Sequence, residues 1–215
     1  MLGLSGCGLY NLQGAYAISN HNGVMIDGMY NYRRFESADY SVERLNIFSG
    51  NVGTGYFSTF GDHKTGLYQC YAGGGYGNSS DKIDDAYHNY PEQRAEYINL
   101  FVQPGVAYIG KSVAVAFDLR ANYVHLYNVN AYLYDKFEFW NTDSKLYMDT
   151  TMNFMNIEPA ITLKFGSGKV KGFLQLGATI PTINAHSYFI INTASMLAIP
   201  LIKFSVGLSY TFGKK

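Results

Sequence analysis

Hydrophobic and polar residues alternate with a period of two along much of this chain. Near the C-terminus the residues between the apolar ones are small or polar, and the apolar set is Phe204, Val206, Leu208, Tyr210 and Phe212. The segment from Val113 to Tyr123 repeats the pattern with larger polar residues. Successive side chains of a strand point to opposite faces, so the pattern predicts strands with one apolar and one polar face.

The connections between these strands alternate between short and long. Residues rich in Asn and Gly predict tight turns near positions 21, 62, 110 and 167. Longer polar segments cover residues 34–43 and 79–95, and a third runs to about Thr150. This order predicts an antiparallel up-and-down sheet in which tight turns lie at one end and long loops at the other.

The pattern contains nine strands, whereas single-chain bacterial barrels have an even number. We therefore expect an all-β, transmembrane antiparallel up-and-down β-barrel of about ten strands, with an earlier strand represented by residues 2–5. The alternative is a barrel of eight strands. One strand, residues 66–78, is rich in glycine, which predicts a tight bend or a bulky neighbour lying across its inner face.

The composition fits a membrane barrel better than a soluble domain. Charged residues make up 15% and aromatic residues 16% of the 215 residues, whereas charged residues are nearer a quarter of soluble proteins. The mean hydropathy of −0.08 is compatible with a barrel because only every second residue faces lipid. A formal net charge of +0 argues against a nucleic-acid partner, and no linker divides residues 1–215, which predicts one domain.

The last strand resembles the C-terminal assembly signal of bacterial outer-membrane barrels. That signal has a polar residue, a glycine two positions on, and aromatic residues five and seven positions on. The matching residues here are Ser205, Gly207, Tyr210 and Phe212. Outer-membrane barrels have short periplasmic turns and long extracellular loops, so we expect the tight turns in the periplasm and the long loops outside the cell. The C-terminus is then also expected in the periplasm, as this signal requires.

The segment from Leu4 to Cys7 resembles a bacterial lipobox, which makes Cys7 a candidate for lipidation. The charged and apolar regions of a secretory signal are not found ahead of it. Either Cys7 is lipidated and the true start of the protein lies upstream of Met1, or the resemblance is chance and these residues are the end of a strand and its turn.

Charged residues on the inner side of the predicted strands form a candidate lumen network. They are Asp27, Arg33, Asp118, Arg120, Glu158, Lys164, Lys171 and Lys203. A barrel of eight to ten strands is about filled by its own side chains, and charges inside it must pair. We therefore expect a closed, ion-paired lumen, with Arg120 and Glu158 on neighbouring strands as one pair.

His125 is the one histidine on an outward strand face, between Tyr123 and Tyr127. It is similar in placement to the lipid-facing histidine of lipid A deacylases, but Thr151 and Asn153 stand where a serine would be needed. An aromatic-belt position at the lipid headgroups explains His125 equally well. We expect no catalytic residues, no metal site and no cofactor.

The third long loop carries a group of aromatic residues that are candidates for contact with a partner. They are Tyr132, Tyr134, Phe137, Phe139 and Trp140. Tyrosine and tryptophan dominate interface hot spots. The alternative is that the strands extend beyond the membrane and these rings cover one another.

Four phrases of the chain resemble uncharacterised Bacteroidetes outer-membrane β-barrel lipoproteins: residues 12–21, 71–77, 101–104 and 157–160. The resemblance implies location in the bacterial outer membrane and an N-terminal lipid. No activity of that family can be transferred to this chain. We expect a structural or interaction component of the envelope, in contact with outer-membrane lipid and with another outer-membrane protein as a candidate partner. The alternatives are a narrow channel for small solutes and a lipid-modifying enzyme.

Overall fold

The computed structural model describes residues 7–36, 42–84, 93–133, 146–166, 170–182 and 202–210. These residues form ten strands and a short 3-10 turn, Asp62–Lys64. The strands are β1 (Cys7–Ala17), β2 (Asn22–Glu36), β3 (Val42–Phe60), β4 (Gly66–Asp84), β5 (Gln93–Ile109), β6 (Val113–Leu133), β7 (Leu146–Phe165), β8 (Val170–Ala178), β9 (Ile180–Pro181) and β10 (Ile202–Tyr210).

The strands form one antiparallel, up-and-down sheet that is curled into a half-barrel. Its order is β1-β2-β3-β4-β5-β6-β7-β8-β10. The two-residue β9 pairs with β7 in the register that β8 has set, since Ala160 faces Gly177 and Ile157 faces Ile180. β8 and β9 are thus one interrupted strand, and the path contains nine strands. The expected strand at residues 2–5 lies outside the described residues.

The four tight connections lie where the sequence predicts them. β1 is followed by β2 after four residues, and β3 and β4 are joined through Gly61, whose φ of 79° suits glycine. β5 and β6 are joined through residues 110–112, and β7 ends one residue before Gly166. We call this end of the sheet the turn end and the opposite end the loop end.

The predicted loop at residues 79–95 is wrong in its bounds, because β4 continues to Asp84 and β5 begins at Gln93. Ser79 and Asp81 are buried on the inner face while Lys82 is exposed on the outer face. Both faces of this part of β4 are polar. The strand therefore continues without the apolar alternation that would reveal it.

The predicted third loop is also shorter than expected, because β6 continues to Leu133 and β7 begins at Leu146. Beyond Tyr123 the apolar side chains change face, and Val124 and Leu126 are buried on the inner side. A register shift between Leu126 and Val129 interrupts the ladder, and Asn128 there has a positive φ of 51°. The move of the apolar residues to the inner face and this bulge together interrupt the two-residue period of the sequence.

The two faces of the sheet differ sharply in chemistry. The outer face carries large hydrophobic side chains that are 37 to 68% exposed, from Leu12 on β1 to Val206 on β10. The buried polar side chains, such as Asn99, Asn122 and Asn156, lie on the inner face. Among the described residues, no helix is long and apolar enough to span a membrane.

Candidate functional site

The centre of the inner face holds an ion pair between strands that are not neighbours. Nη2 of Arg120 on β6 lies 2.7 Å from Oδ2 of Asp27 on β2. Their side chains are 16% and 17% exposed, respectively. The pair therefore crosses the hollow of the curled sheet.

Three further side chains fix this pair. Nε of Arg120 donates to Oε1 of Gln103 at 2.7 Å, and its guanidinium carbon lies 4.5 Å from the centre of the Phe101 ring. Nδ2 of Asn51 donates to Oδ1 of Asp27 at 2.7 Å. Arginine thus has a carboxylate, an amide and an aromatic face as partners, which offsets the desolvation of its charge.

More hydrogen bonds continue this network toward the turn end. Nε2 of Gln69 donates to Oδ1 of Asp118 at 2.9 Å. Gln175 accepts from Gln13 at 3.2 Å and donates to Oγ1 of Thr162 at 3.1 Å. We call the whole set the polar layer, which consists of Gln13, Asp27, Asn51, Gln69, Gln103, Asp118, Arg120, Thr162 and Gln175.

An apolar cluster lies on the same face between the polar layer and the loop end. It consists of Ala95, Val124, Leu126, Val129 and Phe154, with Tyr97 and Met152 packed against it. Leu126 is only 1% exposed. On β5, β6 and β7 the inner face is therefore polar near the middle of the strands and apolar near the loop end.

The glycines of β3 and β4 make room for these side chains. A Cβ added at Gly53 or Gly73 would lie 2.9 Å from Cζ of Phe101. A Cβ added at Gly77 would fall on the Tyr97 ring. The expectation that the glycine-rich strand admits a bulky neighbour across its inner face is confirmed.

The other members of the predicted lumen network lie at different heights on the sheet. Glu158 faces Arg120 across the β6–β7 ladder, as expected, although the ion pair described above joins Arg120 to Asp27. Arg33 and Lys164 are exposed near opposite ends. Lys171 is half-buried near the turn end, and the register places Lys203 opposite Gly177.

A small hydrogen-bonded group lies on the outer face toward the loop end. Oδ1 of Asn153 accepts from the Tyr123 hydroxyl at 2.9 Å and lies 2.7 Å from Nδ1 of His125. Since an amide oxygen only accepts, Nδ1 carries the proton. The His125 ring stacks on Tyr127 at 6.0 Å. Desolvation and then the Glu96 carboxylate raise the pKa of Tyr127.

The remaining candidate residues are placed only in part. Tyr132 lies on β6 and pairs with Tyr147 in the ladder, while Tyr134, Phe137, Phe139 and Trp140 lie outside the described residues. Cys7 is the first residue of β1. Of the assembly signal, Ser205, Gly207 and Tyr210 belong to β10, and Phe212 lies outside the described residues.

Within the described residues, no group of three or more His, Cys, Asp or Glu side chains is arranged to hold a metal ion. The polar layer instead depends on amides that the sequence analysis did not single out. They are Gln13, Asn51, Gln69, Gln103 and Gln175. Their signal in the sequence was their inward position on alternating strands, which does not identify their partners.

Comparison of the chain with protein-family models, curated proteins and solved structures gave no match.

Proposed function

We propose that this protein is a β-barrel of the bacterial outer membrane that acts as a structural or interaction component of the envelope. In this proposal its inner face is filled by its own side chains. Its outer face contacts membrane lipid, and its loop end faces the outside of the cell.

The observation that carries the proposal is the apolar outer face. On β6 alone, Val115, Phe117 and Leu119 are all exposed, at 39 to 45%. Soluble monomers rarely expose apolar patches larger than a few hundred Å². A lipid environment removes this conflict, because apolar-out and polar-in alternation is the pattern of a membrane barrel.

The arrangement of aromatic residues supports the same environment. Toward the turn end the outer face carries Tyr56, Phe60 and Tyr68. The centre of the Tyr68 ring lies 6.0 Å from that of Tyr56 and 6.3 Å from that of Phe60. Toward the loop end it carries Tyr76 and Tyr123. Aliphatic side chains predominate between them, as in a barrel whose apolar band is flanked by aromatic girdles.

The length of the strands also fits a bilayer. The segment of β6 from Val113 to Tyr123 would extend about 33 Å at the usual rise per residue. At a typical strand tilt this becomes about 25 Å, the height of the apolar band of outer-membrane barrels.

The packing of the inner face favours a structural role over a channel. The Asp27–Arg120 pair crosses the hollow, and the apolar cluster lies between that pair and the loop end. A solute path would have to break the ion pair and pass the packed side chains of the apolar cluster. The enzyme alternative has less support, because Asn153 and two tyrosines, rather than the serine of a lipid A deacylase, lie beside His125.

The test is the behaviour of the purified chain with and without detergent. We expect the folded chain to require detergent or lipid, to fractionate with the outer membrane, and to change gel mobility on heating. A chain that stays monomeric and folded in plain buffer would refute the membrane assignment.

Conductance in planar bilayers separates the two membrane functions. We expect the wild-type chain to give no stable single-channel steps, because the inner face is occupied. Regular, solute-sized conductance from the wild type would favour the narrow channel instead.

A further inference from the structure

Three basic side chains lie side by side on the outer face at the loop end. Arg34 on β2 is the register partner of Arg44 on β3, and Arg44 is also the register partner of Lys82 on β4. All three side chains are exposed. Directly opposite residues have their Cβ atoms about 5 Å apart. This set, which we call the basic row, therefore brings three positive charges together on three adjacent strands.

Arg94 on β5 extends the positive surface to a fourth strand. It is exposed, and its register partner is Ser80, which lies two residues from Lys82 on the same face of β4. Among the outer-face strand residues whose side chains the structure describes, the charged ones are Arg34, Arg44, Lys82, Arg94 and Glu96. Charge on this part of the outer face is thus confined to the loop end of β2 to β5, and it is mainly positive.

The basic row lies just beyond the apolar band of the outer face. On β3, Val52 and Phe48 are exposed apolar residues, at 61% and 45%, and Arg44 lies four positions beyond Phe48. Four residues of a strand rise about 13 Å, which is about 10 Å along the axis of a tilted barrel. In the bilayer that the proposed function assigns, this height is the layer of lipid headgroups, where phosphate groups carry negative charge.

Neutral polar residues separate the basic row from the apolar band. Asn46 and Ser80 are register partners on the membrane side of the row, where Asn46 is exposed and Ser80 is half-buried. The acidic residues Glu36 and Asp84 are both register partners of Val42, on the side of the row away from the apolar band. On β2 to β4, an anion that approaches from the membrane therefore meets hydrogen-bond donors and the basic row before it meets a carboxylate.

The chemistry of the basic row suits a phosphate group. Like charges at directly opposite positions of a sheet are destabilising, and a bound anion offsets that repulsion. Arg34, Arg44 and Lys82 each have an interaction within the protein as well. Arginine has five N–H donors and lysine has three, so these exposed side chains have further donors for a ligand. Hydrogen bonds from arginine or lysine to phosphate are charge-assisted and among the stronger ones in proteins.

We infer that the basic row and Arg94 bind the phosphate-bearing headgroup of a membrane lipid in the outer leaflet. The inference rests on the proposed function and assigns a specific lipid site to the outer face. The basic row contacts the phosphate oxygens. The acyl chains lie along the apolar band, beside Phe48 and Val52.

Native mass spectrometry of the detergent-solubilised full chain tests this inference. The chain is titrated with phosphatidic acid and with phosphatidylcholine of the same acyl chains, so that the two probes differ only in the headgroup. The row variant is Arg34→Gln/Arg44→Gln/Lys82→Gln. The wild type should bind phosphatidic acid at least about tenfold more tightly than phosphatidylcholine. The row variant should lose at least about tenfold in affinity for phosphatidic acid, with its affinity for phosphatidylcholine unchanged.

The matched control removes the same charge from other exposed lysines. It is Lys64→Gln/Lys111→Gln/Lys164→Gln, which lies outside the basic row, and it should bind both lipids as the wild type does. Equal affinity of the wild type for the two lipids overturns the inference. An unchanged affinity of the row variant for phosphatidic acid, or an equal loss in the control, overturns it as well.

Two further measurements identify the source of the phosphate. Inorganic phosphate added in excess should leave most of the phosphatidic acid bound, whereas full displacement would make free phosphate the ligand and overturn the lipid assignment. The chain released directly from its native membrane should carry a phosphorylated lipid that the row variant lacks. An acidic polypeptide bound in that row-dependent way, in place of a lipid, would overturn the inference.

Single variants at the middle of the row keep the test decisive when the triple variant does not fold. Arg44→Gln should weaken binding of phosphatidic acid, and Arg44→Lys, which keeps the charge, should retain more of it. Equal binding by Arg44→Gln and the wild type would contradict the inference.

Membrane fractionation and heat-dependent gel mobility separate the two possible failures. A wild-type chain that fails these measurements refutes the proposed function. A membrane-embedded, heat-modifiable chain that does not prefer phosphatidic acid refutes only the lipid site.

Discussion

The guanidinium of Arg120 lies 2.7 Å from the carboxylate of Asp27, although the two residues are on β6 and β2, four strands apart in the sheet. Side chains from distant strands of the curled sheet therefore meet in the hollow. This contact connects the walls in a way that strand pairing alone does not.

Removing one partner of this pair should destabilise the protein more than removing both. Arg120→Met or Asp27→Leu alone leaves a partly buried charge without its ion partner. We expect each to lower the free energy of unfolding by about 3 kcal/mol, the low end of the range for buried pairs, because both side chains keep some exposure. The double variant should lose less than either single variant, because it leaves no partly buried charge without a partner. Urea unfolding in detergent micelles, followed by circular dichroism, measures all three.

The control for this cycle is Lys164→Met, an exposed lysine on the inner face of β7. It should change stability little. Additive losses in the Asp27→Leu/Arg120→Met double variant would show that the two side chains are not energetically coupled.

Gly77→Ala should disturb the packing around Tyr97. The added methyl group falls on the Tyr97 ring, so the ring or the strand must move. Overpacking of this kind costs about 1 to 3 kcal/mol. Combining Gly77→Ala with Tyr97→Leu should recover part of the loss, as measured by the midpoint of thermal unfolding in detergent.

Gly50→Ala on β3 provides the comparison for Gly77. Its added Cβ has Cζ of Phe48 at 3.7 Å as its nearest neighbour, which is an ordinary contact. An effect of Gly50→Ala equal to that of Gly77→Ala would mean that backbone freedom, and not ring clearance, explains the glycine at position 77.

Leu119→Arg tests the proposed contact of the outer face with lipid. Leu119 is exposed on the outer face of β6 near the middle of its apolar segment. An arginine there should cost about 2 to 4 kcal/mol in a bilayer. Ala116→Arg, on the inner face beside Ala107, should cost much less. Reversible unfolding from lipid vesicles gives both values, and equal costs would contradict the assignment of the two faces.

The orientation of the sheet can be tested by labelling intact cells. In a background without Cys7 and Cys70, Lys82→Cys lies at the loop end and Ser112→Cys at the turn end. A membrane-impermeant maleimide should label Lys82→Cys on intact cells and Ser112→Cys only after the outer membrane is permeabilised. The opposite labelling would invert the topology.

The sequence alone was sufficient for the strands whose outer face is apolar and for the turns between them. Val113 to Tyr123 alternates without interruption, and the fixed two-residue period of a strand converts that order directly into faces. The same reasoning failed beyond Ser79 and Tyr123, where the backbone continues its ladder but the side chains no longer alternate between apolar and polar.

The partners within the inner face could not be read from the sequence. Local alternation indicates that Arg120 and Asp27 point inward, and it favoured Glu158 as a partner because Glu158 is on the neighbouring strand. The observed contacts of Arg120 with Asp27 and of Gln13 with Gln175 depend on how strongly the sheet curls. The period of a strand determines which way a side chain points, whereas curvature determines which distant side chains meet, and only the tertiary structure contains that curvature.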